Sequence, residues 1–172
     1  MRRVEVVRTY LEMAERPKAE VGGCPDASAR VERLRECPVS FFRYLYAEVG
    51  RDYHWYDRLR WSDAEVRARL LDPAVSFHLL SVGGAPAGYF ELQQHPGGSV
   101  EIAYFGLLPE FIGRGLGRHL LREATAAAWA LGASRVWLHT CTLDDPAALP
   151  NYLARGFRPF KTESYEAELP DE

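Results

Sequence analysis

Residues 107–118 read Leu-Leu-Pro-Glu-Phe-Ile-Gly-Arg-Gly-Leu-Gly-Arg, a stretch that can bind an anion. Gly113, Gly115 and Gly117 alternate with Arg114, Leu116 and Arg118. Glycines at alternate positions let a ligand approach the backbone with no Cβ in the way. A helix that begins there leaves unpaired N–H groups, which together with the helix dipole attract a group such as a pyrophosphate. Arg114 and Arg118 add charge for phosphates. A turn that needs glycines only for close packing would explain a lone Gly-x-Gly. Three alternating glycines with two arginines weigh toward a ligand. A Walker A loop is excluded because no Gly-Lys-Ser/Thr follows. The dinucleotide fingerprint also fails, since its third glycine position holds Arg118 in one register and Leu120 in the other.

Four further residues could move protons or form bonds. Strand alternation over residues 99–107 predicts Glu101 on the same face as Ala103 and Phe105, where its carboxylate is a candidate general base. The plainer reading is a solvated residue beside the Pro96-Gly97-Gly98 turn. His139 and Glu91 are the alternative bases. Cys141 lies two residues after His139, so on a strand the two share a face and a thiol–imidazole pair is conceivable. A buried structural cysteine accounts for the same pattern.

These residues need elements to position them. Residues 3–12 are rich in β-branched residues and predict a strand; residues 29–36 lean to a second. Phe41, Leu45 and Val49 recur at a spacing of four, which predicts a helix stopped by Gly50. Ser62 and Glu65 form a capping-box pattern for a short helix that ends at Asp72-Pro73. Strands at 75–82, 88–94 and 99–107, joined by glycine turns, make an antiparallel meander. The helix after the glycine turn carries Leu116, Leu120, Leu121, Ala124, Ala128 and Leu131 on one stripe, with Gly132 at its end. A buried strand at 135–142, a short helix at 146–155 with a kink or restart at Pro150, and a last strand at 157–169 complete the order. The expected architecture is a single α/β domain over residues 1–172, a mixed sheet with helices on both faces.

Composition narrows the function. A net charge of −3 over 172 residues gives no footprint for nucleic acid. Three cysteines without motif spacing argue against a disulfide framework and against a metal site, and fit a reducing cytoplasm. No leader pattern and no apolar run of about 18 residues is present, so no membrane association is expected. Tyr44, Tyr46, Tyr53, Trp55, Tyr56 and Trp61 make residues 41–61 strongly aromatic; they either pack on the sheet or wall a pocket for an amine.

The segment Ile112-Gly113-Arg114-Gly115-Leu116-Gly117 resembles the central motif of the GNAT superfamily of acetyltransferases, Gln/Arg-x-x-Gly-x-Gly/Ala, with Ile112 in place of the usual polar residue. Asn151-Tyr152-Leu153-Ala154-Arg155-Gly156-Phe157 resembles the family's Tyr-x-x-x-Gly-Phe motif, and residues 76–160 follow the family order. The resemblance implies the acyl-CoA N-acyltransferase fold: a mainly antiparallel sheet splayed between its fourth and fifth strands, here 99–107 and 135–142, with acetyl-CoA in the gap. It implies that Phe105, Gly106 and Leu107 pair with the pantetheine arm, that a backbone N–H near Leu107 steadies the oxyanion, and that Tyr152 protonates the leaving sulfur. Asp145 stands where many members carry a cofactor-contacting Asn, although Asp145-Pro146 is also a plain helix cap. The implied acceptor is a small-molecule or peptide amine, attacked directly in a ternary complex. A catalytically silent acyl-CoA-binding protein is the alternative, and an exposed last strand leaves a homodimer open.

Overall fold

The structure is a computed structural model and describes residues 1–18 and 22–171. Its strands are β1 (Arg2–Met13), β2 (Arg30–Arg33), β3 (Val75–Val82), β4 (Ala85–Gln94), β5 (Ser99–Leu107), β6 (Arg135–Cys141) and β7 (Arg158–Leu169). The helices are α1 (Val39–Gly50), α2 (Asp63–Leu71), α3 (Leu116–Ala130) and α4 (Ala148–Ala154). All seven strands form one sheet in the order β2-β3-β4-β5-β6-β1-β7. Every pairing is antiparallel except β5 with β6. No helix among the described residues is long and apolar enough to cross a membrane.

The helices divide between the two faces as the apolar patterning requires. Leu116, Leu120, Leu121, Ala124 and Ala128 of α3 are fully buried against Leu11, Leu80, Phe90, Val136 and Leu138. On the other face, Phe42 and Val66 of α1 and α2 pack on Val75 and Phe77, while Leu45 and Val49 pack on Tyr89. The capping box of α2 is present: the Glu65 amide donates to Ser62 Oγ at 3.3 Å and the Ser62 amide to Glu65 Oε2 at 2.7 Å. Gly83 and Gly84 both have positive φ, 59° and 83°, the requirement of a two-residue hairpin. Pairing therefore resumes at Ala85, three residues before the predicted start of β4.

Two expectations need correction. α1 ends at Gly50 as expected, but not through a left-handed glycine: its φ is −83°, the chain runs on into a 3₁₀ turn at Arg51–Tyr53, and the left-handed residue is His54 at φ 59°. The glycine is needed for space, because a Cβ there would lie 2.4 Å from Trp55 Cβ. Pro150 neither kinks nor restarts α4. The helix begins at Ala148, so the proline falls in its first turn, where an N–H has no intrahelical partner to lose.

Candidate active site

β5 and β6 pair only from Ser99↔Arg135 to Glu101↔Trp137, then part. The gap is a cavity of about 510 Å³. One wall is the free edge of β5 from Ala103 to Leu107, and facing it are Leu138, His139 and Cys141 of β6. The Leu108 amide donates to Ala87 O at 2.8 Å, toward β4. By strand alternation the amides of Leu107 and Phe105 point the other way, into the gap.

The glycine turn closes one end. Gly113, Gly115 and Gly117 line the cavity together with Ile112 and Arg118. Gly113 (φ 81°) and Gly115 (φ 75°) occupy the left-handed region, and Gly115 is the N-cap of α3 with no side-chain cap. The first amides of α3 are thus left for a ligand. Arg118 lines the cavity, but Arg114 does not: it pairs with Asp26 at 3.3 Å and its guanidinium lies 5.1 Å from the centroid of Phe111. Leu116 is fully buried in the core, so only its backbone can serve a ligand. Gly106 is demanded from behind, since a Cβ there would meet Val49 Cγ1 at 2.5 Å.

Tyr152 of α4 lines the cavity, its ring edge-on to Phe105 at 6.3 Å and to Phe157 at 6.1 Å. Burial, helped by the Asp144 carboxylate, pushes its phenol above the ordinary range, so it stays a neutral donor. Asp144 is itself held by Thr140 Oγ1 at 2.6 Å and by the Cys141 amide at 2.9 Å. Asp145 caps the turn before α4 by accepting from the Ala147 amide at 2.8 Å, while the helix N-cap proper is Ala147. Its other oxygen accepts from the Tyr53 hydroxyl at 3.4 Å, across the mouth of the cleft.

Glu101 is not where alternation predicts it. Glu91 pairs with Tyr104 and Leu92 with Ile102, so Ala103 is an extra, bulged residue. The bulge flips the faces: Glu101 shares its face with Tyr104 instead of with Phe105. It lies below the parting point, outside the cavity lining, with Oε2 2.9 Å from His95 Nε2. Glu91 is wholly buried and bound by Arg58 through two contacts of 2.7 and 2.9 Å and by Arg69 at 2.7 Å. Those bonds occupy its carboxylate, and Arg58 stacks 4.1 Å from the Tyr104 ring. His139 does line the cleft, and desolvation followed by the Arg8 guanidinium holds its imidazole below the ordinary value. Burial raises the Cys141 thiol, which disfavours a thiolate. Arg8, Asp144 and Tyr165 also line the cleft and were missed from sequence; Arg8 and Tyr165 meet it only through the pairing of β1 with β6 and β7, and Asp144 lies in the turn that follows β6.

A splayed sheet with a capless, glycine-rich helix start and a buried phenol in the gap defines an acyltransferase architecture. The model of the acetyltransferase (GNAT) family matches residues 32–157, and the chain belongs to that family. No curated protein matches it in sequence. Among solved structures it is similar to a GNAT-family protein of Novosphingobium aromaticivorans, with 20% identity, a TM-score of 0.62 and coverage of 95% of this chain and 63% of that one. A GCN5-related N-acetyltransferase of Sphaerobacter thermophilus matches with 15% identity and a TM-score of 0.66, over 95% of this chain and 51% of that one. An aminoglycoside acetyltransferase from an uncultured soil metagenomic sample matches with 18% identity and a TM-score of 0.66, over 84% of this chain and 99% of that one. The chain thus spans between half and two thirds of the first two proteins, and at these identities the likeness is one of fold.

Proposed function

We propose that this chain is an N-acetyltransferase that moves the acetyl group of acetyl-CoA to a primary amine by direct attack in a ternary complex. The observation that carries the reading is the Tyr152 phenol in the same cleft as the free amides of the glycine turn and of β5. The donor set fits the cofactor. Gly113, Gly115, Gly117 and Arg118 suit a pyrophosphate, and the free edge at Phe105 and Leu107 suits the amides of a pantetheine arm. Acetyl-CoA supplies the thioester.

The chain's own groups then have separate tasks. His139, kept neutral, accepts the proton that the attacking amine gives up. An amide of the β5 edge steadies negative charge on the acyl oxygen. As the new C–N bond forms and the C–S bond breaks, Tyr152 gives its proton to the sulfur. The base role thus falls to His139 in preference to Glu101, which is bonded to His95 outside the lining. Three free cysteines suit a cytoplasmic setting.

Incubation with acetyl-CoA and a panel of amines tests the reading. Amine-dependent release of CoA with a matching N-acetyl product by mass is the expected result. Bound acetyl-CoA with no release for any amine would leave a silent binding protein instead.

A further inference from the structure

The acceptor half of the cleft contains a guanidinium that makes no ion pair among the described residues. Arg8 of β1 lies between Cys141 of β6 and Glu163 of β7 in the sheet register. A cross-strand Arg and Glu would ordinarily pair. Here the Glu163 carboxylate is turned to Lys161 Nζ at 2.5 Å and to the Tyr10 hydroxyl at 2.9 Å. Arg8 makes no ion pair with any carboxylate among the described residues. Its Nη2 donates to the Tyr165 hydroxyl at 3.4 Å, its guanidinium lies 4.9 Å from the Tyr165 ring centroid, and its buried Nε has no acceptor. A half-buried cation left in this state favours an anionic ligand.

The rest of the cleft makes the assignment specific. Arg58, the cation behind the aromatic wall, is already paired with Glu91, and Arg118 stands at the glycine turn. Asp144 and Asp145 accept hydrogen bonds from neutral protein donors at the α4 side of the cleft, and neither forms an ion pair with Arg8. On β6, His139 and Cys141 share a face. Their register partners are Tyr10 and Arg8, which sets Arg8 one step along from the histidine. A proton acceptor and a guanidinium at diagonal positions on one sheet face suit a small acceptor that carries both an amine and a carboxylate. Opposite stand Tyr46, Trp55 and Tyr104, an aromatic surface for a side chain.

We infer that the acceptor is an α-amino carboxylate, a free amino acid with an apolar side chain, and that Arg8 selects it by pairing with its carboxylate. This inference rests on the acetyltransferase reading above. Arg8 touches the acceptor but transfers no proton, so it determines specificity.

The test compares L-phenylalanine, L-leucine and L-methionine with their amides as acceptors, after titration has established acetyl-CoA binding. The acids are expected to exceed the amides in kcat/KM by at least about tenfold, the scale of one charge-assisted hydrogen bond. Arg8→Gln should bring the ratio close to one, mainly through KM, while acetyl-CoA affinity holds. Arg8→Lys, which keeps the charge and loses the planar fork, should retain part of the preference and serves if Arg8→Gln fails to fold. Amides equal to or better than acids, a ratio unchanged in Arg8→Gln, or acetyl-CoA binding with no turnover of any of the six would each overturn the inference. Absence of acetyl-CoA binding would instead strike the underlying reading.

Discussion

At the glycine-turn end the cleft is lined largely by backbone, through Gly113, Gly115, Gly117 and the free edge of β5, within one stretch of chain. At the other end it is lined by side chains from distant elements: Arg8 of β1, Tyr46 of α1, Trp55 of the following loop, His139 of β6 and Tyr165 of β7. Backbone amides bind an invariant group such as a phosphate whatever the neighbouring side chains are. A wall of side chains can be re-specified residue by residue while the fold stays fixed. One end therefore belongs to what the family shares, and the other to what this chain selects.

The comparison can be broken first at the wall. Arg58→Ala leaves the wholly buried Glu91 with Arg69 as its only arginine and removes the cation beneath Tyr104. A loss of about 3–5 kcal/mol is expected, lowering the thermal midpoint by on the order of 10 °C. A loss below about 1 kcal/mol would mean that the aromatics alone hold the acceptor end. Tyr152→Phe probes where the two ends meet. Amine-dependent CoA release should fall about a hundredfold while acetyl-CoA affinity changes less than about twofold, because the phenol acts on the leaving group and not in binding.

Gly115→Ala sharpens the backbone side. At φ 75° an alanine costs about 1–2 kcal/mol of stability; a backbone shift that relieves the strain misplaces the first amides of α3, so acetyl-CoA should bind several-fold more weakly while the ranking of acceptors is unchanged. An altered ranking would show that the two ends are not independent. The smallest effect expected is in pH. Because the His139 imidazole is held below 6.5, it remains neutral as pH falls past that value. Once the acceptor amine's own ionisation is divided out, the remaining acidic limb of kcat/KM should lie below pH 6.5 and be lost in His139→Gln. A remaining limb that persists unchanged in His139→Gln would rule out His139 as the base.

The same division explains what could be read from sequence. Strands, the Ser62–Glu65 capping box and the glycine turn are local signals, carried by residues within a few positions of one another. The bulge at Ala103 is not local: it exists only in the register of β5 against β4, and one extra residue moves Glu101 from the face of Phe105 to that of Tyr104, beside the residues that line the cleft. Arg8 was invisible for the same reason, since nothing in Arg-Thr-Tyr says that β1 inserts between β6 and β7. The end of α1 at Gly50 was legible, but the reason for the glycine was not, because its constraint comes from Trp55, which packs where a Cβ would stand.

The most direct test of the central claim is isothermal titration of the purified protein with acetyl-CoA, with NAD and ATP as controls. Saturable heat with acetyl-CoA alone is the predicted result, and would assign the glycine turn and the splayed edge to the cofactor. No binding of acetyl-CoA would contradict the account and reduce Gly113, Gly115 and Gly117 to packing glycines.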